Sequence, residues 1–301
     1  MAMEQLPEAA QARMNEIRNS GTWGSALTTN EFAAVRAAGF EPVGQVFGSC
    51  VYHLGYTGAY NCPGAWMGGA GYTSTSTGRY SAYAPLTQSL YDARRLAVGR
   101  MSTEASLLGG DGVVGVRLAI RRFPAGGLEF SAIGTAVRAA NSTVKLRNPF
   151  TSHVTGQEFA KLVMNGWIPV SLVLGIAIGT RHDDWWTRMA SRRWAGNQEV
   201  EGYTDLVNQT RHASRQELAR NVKGVHADGV VVSSIELEIR ERECPVTDGQ
   251  RDHICEATTI GTAIAAFKSS GQPARTGSLA IMSLDPERRA AARRETSVRY
   301  L

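Results

Sequence analysis

LTTNEFAAVRAAGFEPVGQVFGSCVYHLG (Leu27–Gly55) and VTGQEFAKLVMNGWIPVSLVLGIAIGTRH (Val154–His182) align without a gap. Thr28 falls on Thr155, Glu31–Phe32–Ala33 on Glu158–Phe159–Ala160, Gly39 on Gly166, Pro42–Val43 on Pro169–Val170, and Gly48 on Gly175. The shared positions have a physical meaning. T-x-x-E at Thr28/Glu31 and at Thr155/Glu158 is a capping box that opens a short helix. Gly39 and Gly166 sit where such a helix ends in a left-handed cap. Phe40 to Tyr52 and Trp167 to Thr180 then read as strands.

A second block repeats downstream. Leu90, Ala93, Leu96, Ala97, Met101, Ala105 and Leu108 recur at helical spacing, so a long amphipathic helix is expected over about 86–108, ended by Gly109–Gly110. Asp111–Gly112–Val113–Val114 starts a strand. Pro124, Gly126 and Gly127 turn the chain, and LEFSAIGTAVRA returns as its partner. In the second copy the helix runs over about 205–225, with Val207, Leu218, Val222 and Val225 on the matching face. Asp228–Gly229–Val230–Val231 and Ile260–Gly261–Thr262–Ala263–Ile264 complete the repeat. The middle helix aligns at a shorter offset than the outer blocks. Residues are therefore lost before it and regained in the later hairpin turn, and both changes fall in loops, where they are tolerated. The organisation expected is an arm (1–26), copy one (27–139), a linker (140–153), copy two (154–268) and a basic tail (269–301) bearing Arg288, Arg289, Arg293 and Arg294.

On GFEPVGQVFGSCVYHLG, ARRLAVGRMSTEASLLGGDGVVGVRLAI and LEFSAIGTAVR, the chain resembles the YbjQ-like family, whose members are labelled heavy-metal-binding. The resemblance covers most of 27–138 and, more weakly, 154–267. It implies α+β units of a dodecin-like βαββ type that assemble into pentameric rings. A tandem chain supplies two units at once, as two stacked rings or one ring of fused units. The resemblance implies no catalytic mechanism. The chain departs from short family members in a Gly/Tyr/Ser loop (56–85), a Trp/Arg loop (182–203) and both terminal arms.

Composition sets limits. The chain has 301 residues, 43% hydrophobic and 20% charged, which are ordinary soluble values. A net charge of +5 with no domain-wide basic stripe does not argue for nucleic acid. Residues 1–18 lack an apolar h-region, so a short amphipathic helix or a free arm is expected there rather than a signal peptide. Trp167–Gly179, the most apolar stretch, is too short to span a bilayer and suits a buried strand. Four cysteines are too few for a disulfide framework in a chain of this size, and a cytoplasmic location with reduced thiols is the expectation.

Several clusters could carry chemistry. Cys244 and Cys255 flank Asp248, Asp252 and His253, a set that can chelate zinc or a softer metal ion. The same two cysteines, placed at the feet of a hairpin, also suit a disulfide or an unrelated pair. Cys50, His53 and Cys62 form a second metal candidate, although Cys50 lies in an apolar strand where cysteine is usually a small hydrophobe. Copy two has Ala177 and Thr180 at the positions of Cys50 and His53, so that site is not shared. No nucleophile elbow, P-loop or dinucleotide fingerprint is present. Asp183–Asp184 reads as a solvated pair in a charged loop. Trp185, Trp186 and Trp194, set among arginines, suit an interface first and single-stranded nucleic acid second.

Each copy is expected to form a three-stranded, mostly antiparallel sheet with the long helix on one face, leaving edges and a face that favour assembly. The function expected is a non-enzymatic, ring-forming homo-oligomer, with a small ligand or metal held between subunits. Metal sequestration or sensing is second, and an enzyme of unrecognised reaction third. No cofactor is certain.

Overall fold

In the computed structural model of the chain, the residues described are 6–21, 24–53, 81–82, 84–123, 127–140, 148–192, 194–243 and 251–267. Residues Met1–Phe267 form one compact unit. Its elements are α1 (Glu8–Ser20), α2 (Thr29–Ala37), β1 (Phe40–His53), β2 (Ser81–Ala82), α3 (Ala84–Leu107), β3 (Gly112–Phe123), β4 (Gly127–Ala139), β5 (Phe150–Thr151), α4 (Gly156–Met164), β6 (Trp167–His182), α5 (Trp185–Ala190), α6 (Glu201–Gly224), β7 (Gly229–Glu243) and β8 (Arg251–Ala266).

The duplicated signals do what they predict. Both capping boxes are closed, with Thr28 N–H donating to Glu31 Oε2 at 2.7 Å and Thr155 N–H to Glu158 Oε2 at 2.9 Å. Gly39 and Gly166 carry φ of 84° and 80°, the left-handed region that a side chain resists. Pro42 and Pro169 each sit at a bulge in the following strand, where the missing N–H breaks no ladder bond. The repeated Asp–Gly has a local cause. Asp111 Oδ2 accepts from Ala139 N–H at 2.9 Å, and Asp228 Oδ2 from Ala266 N–H at 2.8 Å. Each aspartate thereby ties the start of one strand to the end of its neighbour.

The sheets are four-stranded, not three-stranded, in the orders β1-β4-β3-β5 and β6-β8-β7 with β2 beside β6. The three long strands of each are antiparallel as expected. The fourth strand comes from the other half of the chain. β5, from the stretch read as linker, pairs in parallel with Gly112–Val113, while β2, from the first half, pairs with Gly179–Thr180. A three-stranded sheet leaves backbone groups bare at both edges, and each repeat covers one edge of the other.

Gly48 and Gly175 fix how close the long helices lie. A Cβ at Gly48 would enter the shell of the Ala97 carbonyl and the Met101 N–H; one at Gly175 would do the same at Ser214 and Leu218. The helix backbone therefore rests directly on the glycine. This explains a difference on α6. Its buried face is Leu206, Thr210, Ser214, Leu218 and Val222, whereas Val207 is only half-buried. Small hydroxyl residues fit the narrow gap and bond into it, with Ser214 Oγ donating to Gly175 O at 2.8 Å. On α3 the corresponding residues are Ala93, Ala97, Met101 and Ala105, all at most 1% exposed.

α3 has a second role. Its core cluster joins Val46, Cys50 and Phe130 of the first sheet to Leu174, Ile176 and Ile178 of the second. The helix is thus packed between its own sheet and the outer face of the next one.

Candidate functional site: the interface between the two repeats

The contact between the repeats has three parts. The first is an edge. Phe150 N–H donates to Asp111 O at 3.1 Å, Ser152 N–H to Val113 O at 2.9 Å, and Gly115 N–H to Val154 O at 3.0 Å, so residues 150–154 extend along β3. Side chains lock the same segment to its own sheet. Ser152 Oγ lies 3.2 Å from Thr262 Oγ1, and His153 N–H donates to that oxygen at 3.1 Å. An identical clasp exists in copy one, where Ser25 Oγ lies 3.3 Å from Thr135 Oγ1 and Ala26 N–H donates to it at 3.0 Å. The Ile-Gly-Thr-Ala repeat seen in the sequence is therefore the anchor of a leading segment.

The second part is apolar. Val35, Val114, Val137, Phe150, Val154 and Phe159 form a buried cluster that α2 and α4 close. Phe40, Phe150 and Phe159 meet with centroids 4.9 to 6.4 Å apart, mostly edge to face. Glu31 of the first capping box also accepts from Gly156 N–H at 3.3 Å, bridging the two helix starts.

The third part is α3 against the second sheet. Ile176 N–H donates to Tyr91 Oη at 2.7 Å, and Tyr91 Oη–H donates to Leu174 O at 3.3 Å, which satisfies bare groups on the β6 edge. Arg94 faces Glu256 at 3.8 Å. Burial lowers the Arg94 guanidinium below its ordinary range and raises the Glu256 carboxyl. A buried pair like this adds little net stability but disfavours any docking that separates the two charges. Beside it lies a cavity of about 390 Å³ between α3, β6 and the end of α6. Arg95, Ser102, Asn148 and Asn221 supply its polar groups, and Val98 and Leu172 its apolar ones.

His153 makes this interface sensitive to pH. Its Nδ1 lies 2.7 Å from Thr262 Oγ1, and burial holds its pKa below the usual 6.5. Between the lowered folded value and 6.5 the unfolded chain binds more protons. Stability is thus full above about pH 6.5 and falls as pH drops through the folded value. His153→Ala, which installs the residue copy one has at position 26, is expected to flatten the melting temperature between pH 7 and pH 5. An unchanged pH slope in that variant would assign the acid sensitivity elsewhere.

The sequence-predicted site residues are dispersed among the described residues. Cys50 lies in β1 with its thiol directed at Ala93 O, 3.2 Å away, and His53 is exposed three residues on, on the opposite face. Cys62, Cys244 and Asp248 lie outside the described residues. Cys255 is a buried free thiol opposite Gly179 and Ile239, and burial pushes its pKa up. The β7–β8 hairpin closes with Glu243 opposite Arg251, so Cys255 is four rungs into the sheet and not at the foot of the loop. His253 Nδ1 instead pairs with Asp183 Oδ1 at 3.0 Å. Among the described residues no group of three His, Cys, Asp or Glu side chains is placed to hold a metal ion.

Asp183 corrects the expectation of a solvated pair. It is 3% exposed and also accepts from Tyr203 Oη at 3.0 Å, while Asp184 caps α5 through Thr187 N–H at 2.7 Å. Burial, and then Asp183, push the Tyr203 phenol up to about 12. His182 pairs with Asp252 across the ladder. These two His–Asp pairs fasten the free end of the β6–β8 ladder. Pattern reading misses them because their partners are 70 residues apart. Trp185, Trp186 and Trp194 are 54%, 75% and 67% exposed, with Trp185 and Trp186 edge to face at 4.8 Å and Arg192 over the Trp194 ring. α5 ends at Ala190, before Trp194.

Residues 66–140 match the family model described as "Putative heavy-metal-binding" (YbjQ). The encapsulin nanocompartment protein Rv1762c of Mycobacterium tuberculosis is 36% identical over 181 residues, which is 58% of this chain and 62% of that protein. UPF0145 proteins of Clostridium perfringens and Archaeoglobus fulgidus are 45% and 50% identical over 51 and 52 residues, 17% of this chain and 48% of each relative. The chain therefore spans less than two thirds of each of these relatives. No solved structure matches. No helix among the described residues is long and apolar enough to cross a membrane. The family match falls on α3, β3 and β4 of the first repeat, so this stretch of the chain is similar to the YbjQ-like family.

Proposed function

We propose that this protein is a non-enzymatic, cytoplasmic assembly unit that associates head to tail with copies of itself into a closed ring. One observation carries this reading. The in-chain interface between repeats is only one of the two that a pair of equivalent repeats can form. The edge of β3 carries the leading segment 150–154, but the equivalent edge of β7 (Gly229–Val232) pairs with nothing among the described residues. Val35, Val114 and Val137 are fully buried, whereas their counterparts Leu162, Val231 and Ile264 are half-buried. Val232, Ile235 and Ile239 of β7 are 45–52% exposed. The complementary leading segment, ending in Ser25–Leu27, lies at the other end of the chain. A repeated heterologous contact of this kind closes into a ring or grows into a filament.

Such an assembly gives Trp185, Trp186 and Trp194 a partner, as exposed aromatic residues at an interface require. The cavity beside Arg94 is where a small ligand would be held between repeats. The name of the mycobacterial relative refers to a nanocompartment, a setting in which self-association is at home. The family description favours a metal role, with Cys50, His53, Cys62, Cys244, His253 and Cys255 as its candidate ligands, and native mass spectrometry reads both in one spectrum. The expected result is a discrete oligomer that gains abundance with protein concentration. A species that stays monomeric into the hundred-micromolar range would refute the assembly reading.

A further inference from the structure

The half-interface on the first repeat is not empty. The two repeats superpose by number, with β1/β6 and β4/β8 positions 127 apart and α3/α6 and β3/β7 positions 117 apart, as Gly48/Gly175 and their helix contacts Ala97/Ser214 and Met101/Leu218 show for β1/β6 and α3/α6. On the second repeat Tyr91 of α3 touches Leu174 and Asn221. Their counterparts on the first repeat are Phe47 and Glu104. Arg13 of α1 touches both of these, pairing with Glu104 and stacking its guanidinium 5.7 Å from the Phe47 ring centre. α1 therefore occupies on the first repeat the place that a neighbouring repeat's long helix occupies on the second.

We infer that α1 is a self-docked plug over the surface that receives α6 of a second copy, and that its release controls assembly. The inference rests on the head-to-tail reading above. Three features mark α1 as a stand-in rather than a permanent wall. Its anchors are few, chiefly Leu6 and Met14, which are 8% and 1% exposed, together with Arg13. A cavity of about 290 Å³ remains between it and the surface, lined by Leu6, Ala10, Arg13, Phe47, Arg100 and Glu104. The chain leaves it through Gly21 in the left-handed conformation, which ends the helix and separates it from the body. Glu104 is the latch. It is fully buried, accepts from Phe47 N–H at 2.8 Å, is raised in pKa by that burial, and pairs with Arg13. On a docked second copy the residue at the Tyr91 position is Asn208, whose amide can donate to the same carboxylate.

A ligand that binds only the unplugged state has its apparent affinity reduced by the fraction unplugged. The test uses the full chain as wild type, as Arg13→Glu, and as Met14→Asp in case the first variant disturbs Glu104. Hydrogen exchange of α1 amides reports release, and sedimentation velocity reports association. Protected α1 amides are expected in the dilute wild type. Both variants are expected to lose that protection and to associate about tenfold more tightly, the inverse of an unplugged fraction of about one-tenth. Release of α1 with unchanged association overturns the plug and leaves head-to-tail assembly standing. Unprotected α1 in the dilute wild type also overturns it. If α1 is released and no variant associates at any concentration, the assembly reading itself fails.

Discussion

Gly175→Val is expected to unfold the second repeat at ordinary temperatures, or to leave it soluble only as a loosely packed form. The new Cβ alone would enter the carbonyl shell of Ser214 and stand 2.9 Å from Leu218 Cβ and N, and valine adds two methyl groups to that collision. The obstacle is helix backbone, which cannot rotate away as a side chain can. Relief requires α6 to lift off β6. That movement would break the Ser214–Gly175 bond and its companion, Ser214 Oγ to Thr259 Oγ1 at 2.7 Å, and would open the Val173–Leu218–Val222–Ala263 cluster. Overpacking of this kind costs about 1–3 kcal/mol before the lost contacts are counted, and each buried hydroxyl left unpaired adds about 1–3 kcal/mol. A domain margin of about 5–15 kcal/mol does not comfortably absorb that sum. Gly224→Ala is the control. A Cβ there meets nothing within 4 Å, and alanine in a helix is neutral or stabilising by up to about 1 kcal/mol. Thermal unfolding of the two variants side by side decides the matter, and a Gly175→Val melting point within a few degrees of wild type would disprove the close approach.

That glycine shows how far the sequence could be read. Gly48 and Gly175 stand at matched positions, so the repeat was legible, as were the capping boxes, the left-handed glycines and the two long helices. All of these are local signals, decided within a few residues along the chain. The reason for the glycine was not legible, because it belongs to a helix some 40 residues further on. The same limit explains the buried face of α6. A periodicity search weights valine and leucine and selects Val207, while the true face uses Thr210 and Ser214, chosen for size and for a bond to a distant carbonyl. The fourth strand of each sheet was out of reach for a related reason. Two-residue strands such as Phe150–Thr151 carry no period, and they exist only because another repeat offers an edge.

The candidate site was less legible still. Arg94–Glu256, Tyr91 and the Ser152–Thr262 clasp are pairings across 83 or more residues, and nothing in their neighbourhoods advertises them. Of the cysteines and histidines that do catch the eye, the described ones, Cys50, His53, His253 and Cys255, sit on alternate faces of strands or in paired contacts. A residue type that can bind metal is evidence only once geometry brings several together, which for the described residues it does not. The clasp, by contrast, could have been found. Ser25 and Ser152 lie at one offset, as do Thr135 and Thr262, so a repeat search extended past its strongest block reaches them.

The same numbering that relates the repeats predicts the charge pair across a neighbouring copy. Arg94 on α3 corresponds to Arg211 on α6, and Glu256 on β8 corresponds to Glu129 on β4. Arg94 and Glu256 are paired within the chain; Arg211 and Glu129 have no ion-pair partner among the described residues. In a head-to-tail contact that repeats the internal one, Arg211 of one copy meets Glu129 of the next. Arg211→Glu or Glu129→Arg alone sets like charges against each other in a desolvated contact. Disrupting one member of such a pair costs about 2–5 kcal/mol, which is about 30-fold to several thousandfold in association. The double variant restores an opposite pair with reversed polarity and is expected to recover most of the association. Sedimentation velocity on the four proteins, at low and at high salt, makes the comparison, and recovery in the double variant removes misfolding as the cause of loss in the singles. Single variants that associate as the wild type does would mean that copies do not meet through this face. The magnitude rests on burial: at an exposed rim the same pair would contribute at most about 1 kcal/mol and respond mainly to salt. A large loss that salt at about 1 M does not erase therefore places Arg211 and Glu129 inside the interface, where the internal pair already lies.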